Sequence, residues 1–144
     1  SLYKAWSTQQ GNAFGATRGL YLGDPARHLS QVYRELAIEV PAEFASMPDH
    51  LTLELELLAL LLDAGNGEAA RQLAADHLDW LDEYDAALAD RADIVAHNEA
   101  LPSVRRRNLL DGIAFLRALA ALAQRTVGEA LAFANAAEGE AVAV

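Results

Sequence analysis

The sequence predicts an all-α, single-domain helical bundle spanning residues 1–144, and three observations carry that expectation. Ala and Leu dominate a composition that is 53% hydrophobic, while β-branched residues are sparse, a balance that favours helix over sheet. Apolar residues recur at i, i+3, i+4 and i+7 through most of the chain. Between these stretches stand helix starts and stops: Asp24-Pro25, Pro41, Pro48-Asp49, Gly65, Gly67 and Pro102. A chain of 144 residues is long enough to bury a real core.

Residues 1–9, with Tyr3 and Trp6 on one side, read as the tail of a helix. Gly11, Gly15, Gly19 and Gly23 then recur every four residues in a polar setting that suits a loop rather than a helix–helix contact. Asp24 as N-cap and Pro25 at the first helical position open a helix to about residue 40, with a stripe of Leu29, Val32, Tyr33, Leu36 and Val40. Pro41 is expected to end it.

The next helix, at about 49–64, is the element around which the chain is organised. On a wheel of DHLTLELELLALLLD, Asp49, Thr52, Glu56 and Asp63 share one narrow polar edge and leucines fill the rest. His50 and Glu54, four apart, project from inside the apolar sector. A carboxylate there is costly unless paired or hydrogen-bonded. Two readings stay open: a His–Glu pair satisfied within the core, or a polar spot on the wall of a binding groove. Ser46 or Asp49 is the expected N-cap, and Gly65 and Gly67 close the helix.

Residues 68–97 read as helix, with Leu73, His77, Trp80, Leu81, Tyr84 and Leu88 along one face and Asp76 at its boundary. His77 again places a histidine within an apolar stripe, so His50 and His77 are expected to be buried near each other or near Glu54, with His28 and His97 exposed. After a turn at Asn98–Ser103, a last helix runs from about 104 to 135 on a core stripe of Leu109, Ile113, Leu116, Ala120, Val127 and Leu131. Arg105, Arg106 and Arg107 form its charged start, and the tail from Glu138 is expected to fray.

Net charge is −10 and uneven. Residues 37–103 carry two basic groups, Arg71 and Arg91, against fifteen acidic ones. That balance argues against nucleic acid or anionic lipid as partner; it suits a cationic partner, or serves solubility alone. The absence of cysteine excludes disulfides and thiolate metal sites. No apolar run approaches the roughly 20 residues needed to span a membrane, so no stable membrane insertion is expected. No export signal is present, which makes a cytoplasmic location the expectation. The four histidines lack zinc-like spacing. No phosphate-cradling loop, dinucleotide fingerprint or nucleophile elbow appears. No catalytic constellation, metal or cofactor is expected.

Met47-Pro48-Asp49-His50-Leu51 followed by Glu54-Leu55-Glu56-Leu57-Leu58, and then His77-Leu78-Asp79-Trp80-Leu81-Asp82-Glu83-Tyr84, resemble the two signatures of the TorD/DmsD/NarJ redox-enzyme maturation chaperones. The resemblance extends from about residue 20 to 131. Asp82 stands where that family usually has proline, so the helix after His77 is expected to run on where relatives bend. The resemblance implies a cytoplasmic, non-enzymatic chaperone of a molybdenum-cofactor oxidoreductase subunit, whose partners are the twin-arginine signal peptide and the apo form of that subunit. Asp49, His50 and Glu54 then form the arginine end of a peptide site, with Asp76, His77, Trp80 and Tyr84 lining its apolar part. Carboxylates match guanidinium bidentately and aromatic faces stack on it. A guanine-nucleotide role, also associated with such proteins, lacks a phosphate loop here. The resemblance further implies N-terminal helices absent from this sequence; the apolar surface left uncovered is expected to be covered in a homodimer, with exchange of helices across residues 11–23 as one route. The alternative reading is a plain helical structural or oligomerisation domain.

Overall fold

The computed structural model describes the backbone of residues 22–142 and the side chains of residues 22–136. The expected helix at 1–9, the glycine-spaced loop up to residue 21 and the expected helix exchange there lie outside the described residues. The chain is all-α, with no strand among the described residues. Five helices follow in order among them: α1 (Asp24–Glu35), α2 (Leu51–Asp63), α3 (Gly67–His77), α4 (Leu81–Ala96) and α5 (Ser103–Val142), with a 3-10 turn at Ala42–Phe44. The described backbone forms two compact units that divide after Trp80.

In the first unit, α1 buries Ala26, Leu29 and Tyr33. It stops at Glu35, short of the expected 40, because the chain closes a Schellman motif well before Pro41. Ala37 takes φ +54°, its N–H donates to the Arg34 carbonyl, and the Ile38 N–H reaches back to Tyr33. Helix α2 ends the same way: Gly65 at φ +71° donates to Leu62, and Asn66 to Leu61. The two stops share one geometry, but only the second carries the residue that adopts it without strain. Asn66 then caps α3, its Oδ1 accepting from the Ala69 N–H at 3.2 Å. Leu53, Leu57 and Leu58 of α2 and Ala70, Leu73 and Ala74 of α3 are buried where these two helices pack.

Helix α3 ends at His77 and a turn at Leu78–Trp80 precedes α4, so the continuous helix expected over 68–97 is two helices. Neither glycine nor proline marks the break. His77 is held from two sides and Leu78 is buried, so tertiary contacts set a bend that propensity does not.

The second unit is an antiparallel pair. Asp82 accepts from Gln124, and Asp85, further along α4, meets Arg117, earlier on α5. The Arg117 guanidinium grips Asp85 with both arms, Nε to Oδ1 at 2.8 Å and Nη2 to Oδ2 at 3.0 Å. At the turn between the helices, Arg106 donates to the carbonyls of Asn98 and Leu101. That role fixes one arginine of the basic triplet to the hairpin. The 40 residues of α5 extend about 60 Å at 1.5 Å per residue, and the 16 of α4 about 24 Å. One short partner cannot cover so long a helix, and even alongside α4 only part of the expected stripe is covered: Ile113 and Ala120 are buried, but Leu109 and Leu116 are exposed. The backbone is helical from Glu138 to Val142.

Ala37→Gly relieves a left-handed strain of about 1–2 kcal/mol against a backbone-entropy cost of roughly 0.5–1 kcal/mol. It should therefore raise stability by about 0.5–1 kcal/mol. Gly65→Ala should lower it by about 1 kcal/mol or more; urea midpoints of the two variants moving the same way would contradict the shared motif. The hydrogen bonds from Arg117, and then its charge, hold the Asp85 carboxyl below the usual aspartate range. A depressed folded value means stability that is present above the ordinary aspartate value and lost as pH falls through the lowered one. Acid unfolding of wild type should lose this contribution in that window, and Asp85→Asn should not.

Candidate functional site

Helix α2 starts where an extended backbone at His50 turns helical, and His50 itself is the N-cap. Its Nδ1 accepts from the Thr52 N–H at 3.2 Å, and its ring lies 5.0 Å from that of Phe44. Accepting there requires an unprotonated Nδ1. His50 is therefore half-buried and occupied by its own helix, and neither Ser46 nor Asp49 is the cap.

The imidazole that meets Glu54 is His77. Glu54 is 0% exposed and His77 1%, and they are the buried ionisable pair of the described core. Glu54 Oε1 stands 3.9 Å from His77 Nδ1, within ion-pair reach though longer than a hydrogen bond. On the other side of the ring, His77 Nε2 is 2.8 Å from His28 Nδ1, with the imidazoles nearly parallel at 6°. A carboxylate facing Nδ1 favours the tautomer that carries hydrogen there, which leaves Nε2 to accept from His28. The result is an array, Glu54–His77–His28, that ties α2, α3 and α1 together at one point. His28, expected to be exposed, is half-buried and belongs to it; His97 is exposed as expected.

Tyr33 lies beside this array. Its hydroxyl donates to the Pro48 carbonyl at 3.2 Å. Burial first, and then the negative charge of Glu54, Asp49 and Glu56, pushes the phenol above the usual tyrosine range. The start of α2 is thus strongly acidic.

Glu54 is in the first turn of α2 and His77 is the last residue of α3, so their approach brings those two helix ends together. Asp49 and His50 just precede Glu54 in the chain, Asp76 precedes His77, and Trp80 follows in the turn. All of the sequence-predicted site residues except Tyr84 gather at this end of the α2–α3 pair. Asp49, His50, Asp76 and Trp80 are half-buried and reach the surface; Glu54 and His77 lie beneath it. Gln72 Nε2 holds Asp76 at 2.7 Å. Tyr84 stands in the first turn of α4, in the second unit. His28 was missed, although its position four residues before Val32 puts it at the edge of the apolar stripe.

Among the described residues no group of three or more His, Asp or Glu side chains is arranged to hold a metal ion. The arrangement offers an acidic, partly aromatic surface backed by a buried polar array, the chemistry of recognising a cation.

Residues 3–93 match the profile of the family described as nitrate reductase delta subunit. No curated protein and no solved structure matches the chain. The matched span contains α1, α2 and α3 and both sequence signatures.

A double-mutant cycle separates the partner seen here from the one expected within α2. Glu54→Gln and His77→Gln should each destabilise by about 2–4 kcal/mol and couple by about 1–3 kcal/mol. Glu54→Gln and His50→Gln should be additive to within about 0.5 kcal/mol. Urea unfolding of the single and double variants reads both cycles, and the reverse ranking would contradict the array.

Proposed function

This chain belongs to the nitrate reductase delta subunit family, a family of molybdoenzyme maturation chaperones, and from that premise we propose that it is a cytoplasmic, non-enzymatic chaperone that binds the twin-arginine signal peptide of a molybdenum-cofactor oxidoreductase subunit. It engages the subunit in its apo form, before export. The observation that carries the reading is the acidic end of the α2–α3 pair, where Asp49, His50, Asp76 and Trp80 reach the surface above the buried Glu54–His77 contact. Paired arginines meet the carboxylates there, and an indole face accepts a guanidinium plane. Glu54 and His77 serve from below: they fix the two helix ends whose separation sets the spacing of Asp49 and Asp76. No helix among the described residues is long and apolar enough to cross a membrane.

The second reading, a structural or oligomerisation domain without a peptide site, predicts no affinity for such a leader. Titration calorimetry with a twin-arginine leader peptide decides between them. The protein should bind it, and bind it less well when both arginines become lysines, because lysine lacks the planar fork. Asp49→Asn and Asp76→Asn should each cost about 1.5–3 kcal/mol as losses of charge-assisted bonds. Asp63→Asn, on the solvated edge of α2, should cost about 0–1 kcal/mol. Raised salt should weaken binding without abolishing it, since the apolar part of the contact is unscreened. Equal losses at all three positions, or no binding, would overturn the reading.

A further inference from the structure

Helix α5 has a second apolar line that the fold of its own unit does not use. Val104, Phe115, Leu122 and Phe133 lie within about 20° of one another around the helix axis, with Leu119 beside them. All are exposed, Phe115 by 63% and Phe133 by 76%. They lie nearly opposite the edge on which Ile113 and Ala120 are buried. One flank of this line carries Arg107, Asp111, Arg125 and Glu129, two of each sign. Arg125 and Glu129 stand only 3.8 Å apart and are both well exposed, at 69% and 74%.

We propose that this face is a homodimer interface, in which α5 packs antiparallel against α5 of a second copy about a two-fold axis beside Ala118 and Leu119. The order of residues along the helix is self-complementary about that point. The axis sends Phe115 toward Leu122 of the partner subunit and Val104 toward Phe133 of the partner subunit. In an antiparallel two-fold pair each flank of a helix faces the same flank of its mate. Arg107 therefore meets Glu129 of the partner subunit, and Asp111 meets Arg125 of the partner subunit, each contact occurring twice. A parallel pair would instead set this flank against the opposite flank of its mate, where the uncharged Asn108, Gly112, Thr126 and Ala130 stand, and leave all four charges unmatched, so the charges choose the direction. The same charges disfavour an unrelated apolar helix, which would leave them unmatched. The interface lies on α5 alone and is independent of the peptide reading; either stands if the other fails.

The test begins with sedimentation equilibrium of the intact chain, which should give twice the 15.5 kDa monomer mass in the micromolar range. Asp111→Arg and Arg125→Asp, each alone, place like charges together twice and should raise the dissociation constant tenfold or more, about what a single like-charge contact costs. Mixing these two variants should restore association as a heterodimer, since every Asp111–Arg125 contact is then opposite in sign. Because the chain has no cysteine, Leu119→Cys gives a clean second measurement: mild oxidation should link two copies. Ala121→Cys, exposed on another face at the same height, should not. Circular dichroism confirms that each variant folds. A monomeric wild type, single variants that associate as tightly as wild type, a mixture that stays dissociated, or equal cross-linking at both cysteines would overturn the interface. If the protein is monomeric and an added leader peptide protects the thiol introduced by Leu119→Cys, the face belongs to that peptide instead.

Discussion

A carboxylate and an imidazole are buried together between α2 and α3, and the first unit depends on that burial. Removing an ionisable pair from water is expensive, and in many proteins a hydrophobic pair of the same volume is as stable. What Glu54 and His77 add is position. A leucine at residue 54 packs acceptably in several registers against α3, whereas a carboxylate must find its partner at one. His77 then passes the constraint to His28 through its other ring nitrogen. Three helices are located by one chain of polar contacts, and the helix ends that reach the surface are located with them.

The same contact explains two departures from simple helix rules. Helix α3 ends at His77 with no breaker in its sequence, because the side chain that closes it is already engaged on both sides. At the start of α2 the cap is His50, whose ring accepts from the backbone while the charged residues around it, Asp49 and Glu56, are left to act on their surroundings. Their effect registers on Tyr33, whose phenol is held neutral by burial and by neighbouring carboxylates. Negative charge is concentrated where two helix ends converge, and an opposite charge brought there gains most.

The second unit follows a different logic. Its hairpin is directed by polar contacts at its flank, Arg117 on Asp85 and Gln124 on Asp82, and by Arg106 at the turn. Apolar burial within it is modest, consisting largely of Leu81, Val95, Ile113 and small alanines. A helix of 40 residues beside one of 16 has more apolar surface than its mate can cover. The family match covers α1 to α3 and runs on into α4, the peptide proposal rests on the first unit, and the long helix supplies a separate surface with its own pattern.

Helical character was fully legible in the sequence, because composition and the 3.6-residue period act locally and no sheet competes with them. Two signatures, around Asp49–Glu54 and His77–Tyr84, also sufficed to indicate the family, since they record residue identity and spacing directly. The starts of helices were read to within a residue or two at Asp24, Leu51 and Ser103, where prolines announce them, but the caps were not: Gly23 rather than Asp24 precedes α1, with no side-chain cap, and His50 caps α2. Partnership was not legible. A wheel put Glu54 and His50 on one helix surface and suggested a pair, yet the carboxylate found His77 across the α2–α3 packing and His50 turned to its own backbone. Nor did any local signal say that α1 would stop at an alanine with positive φ, that α3 would end without a breaker, or that Leu109 and Leu116 of the expected stripe would remain outside. Periodicity tells a side chain which face of its helix it occupies; only the packing of one helix on another decides what that face meets.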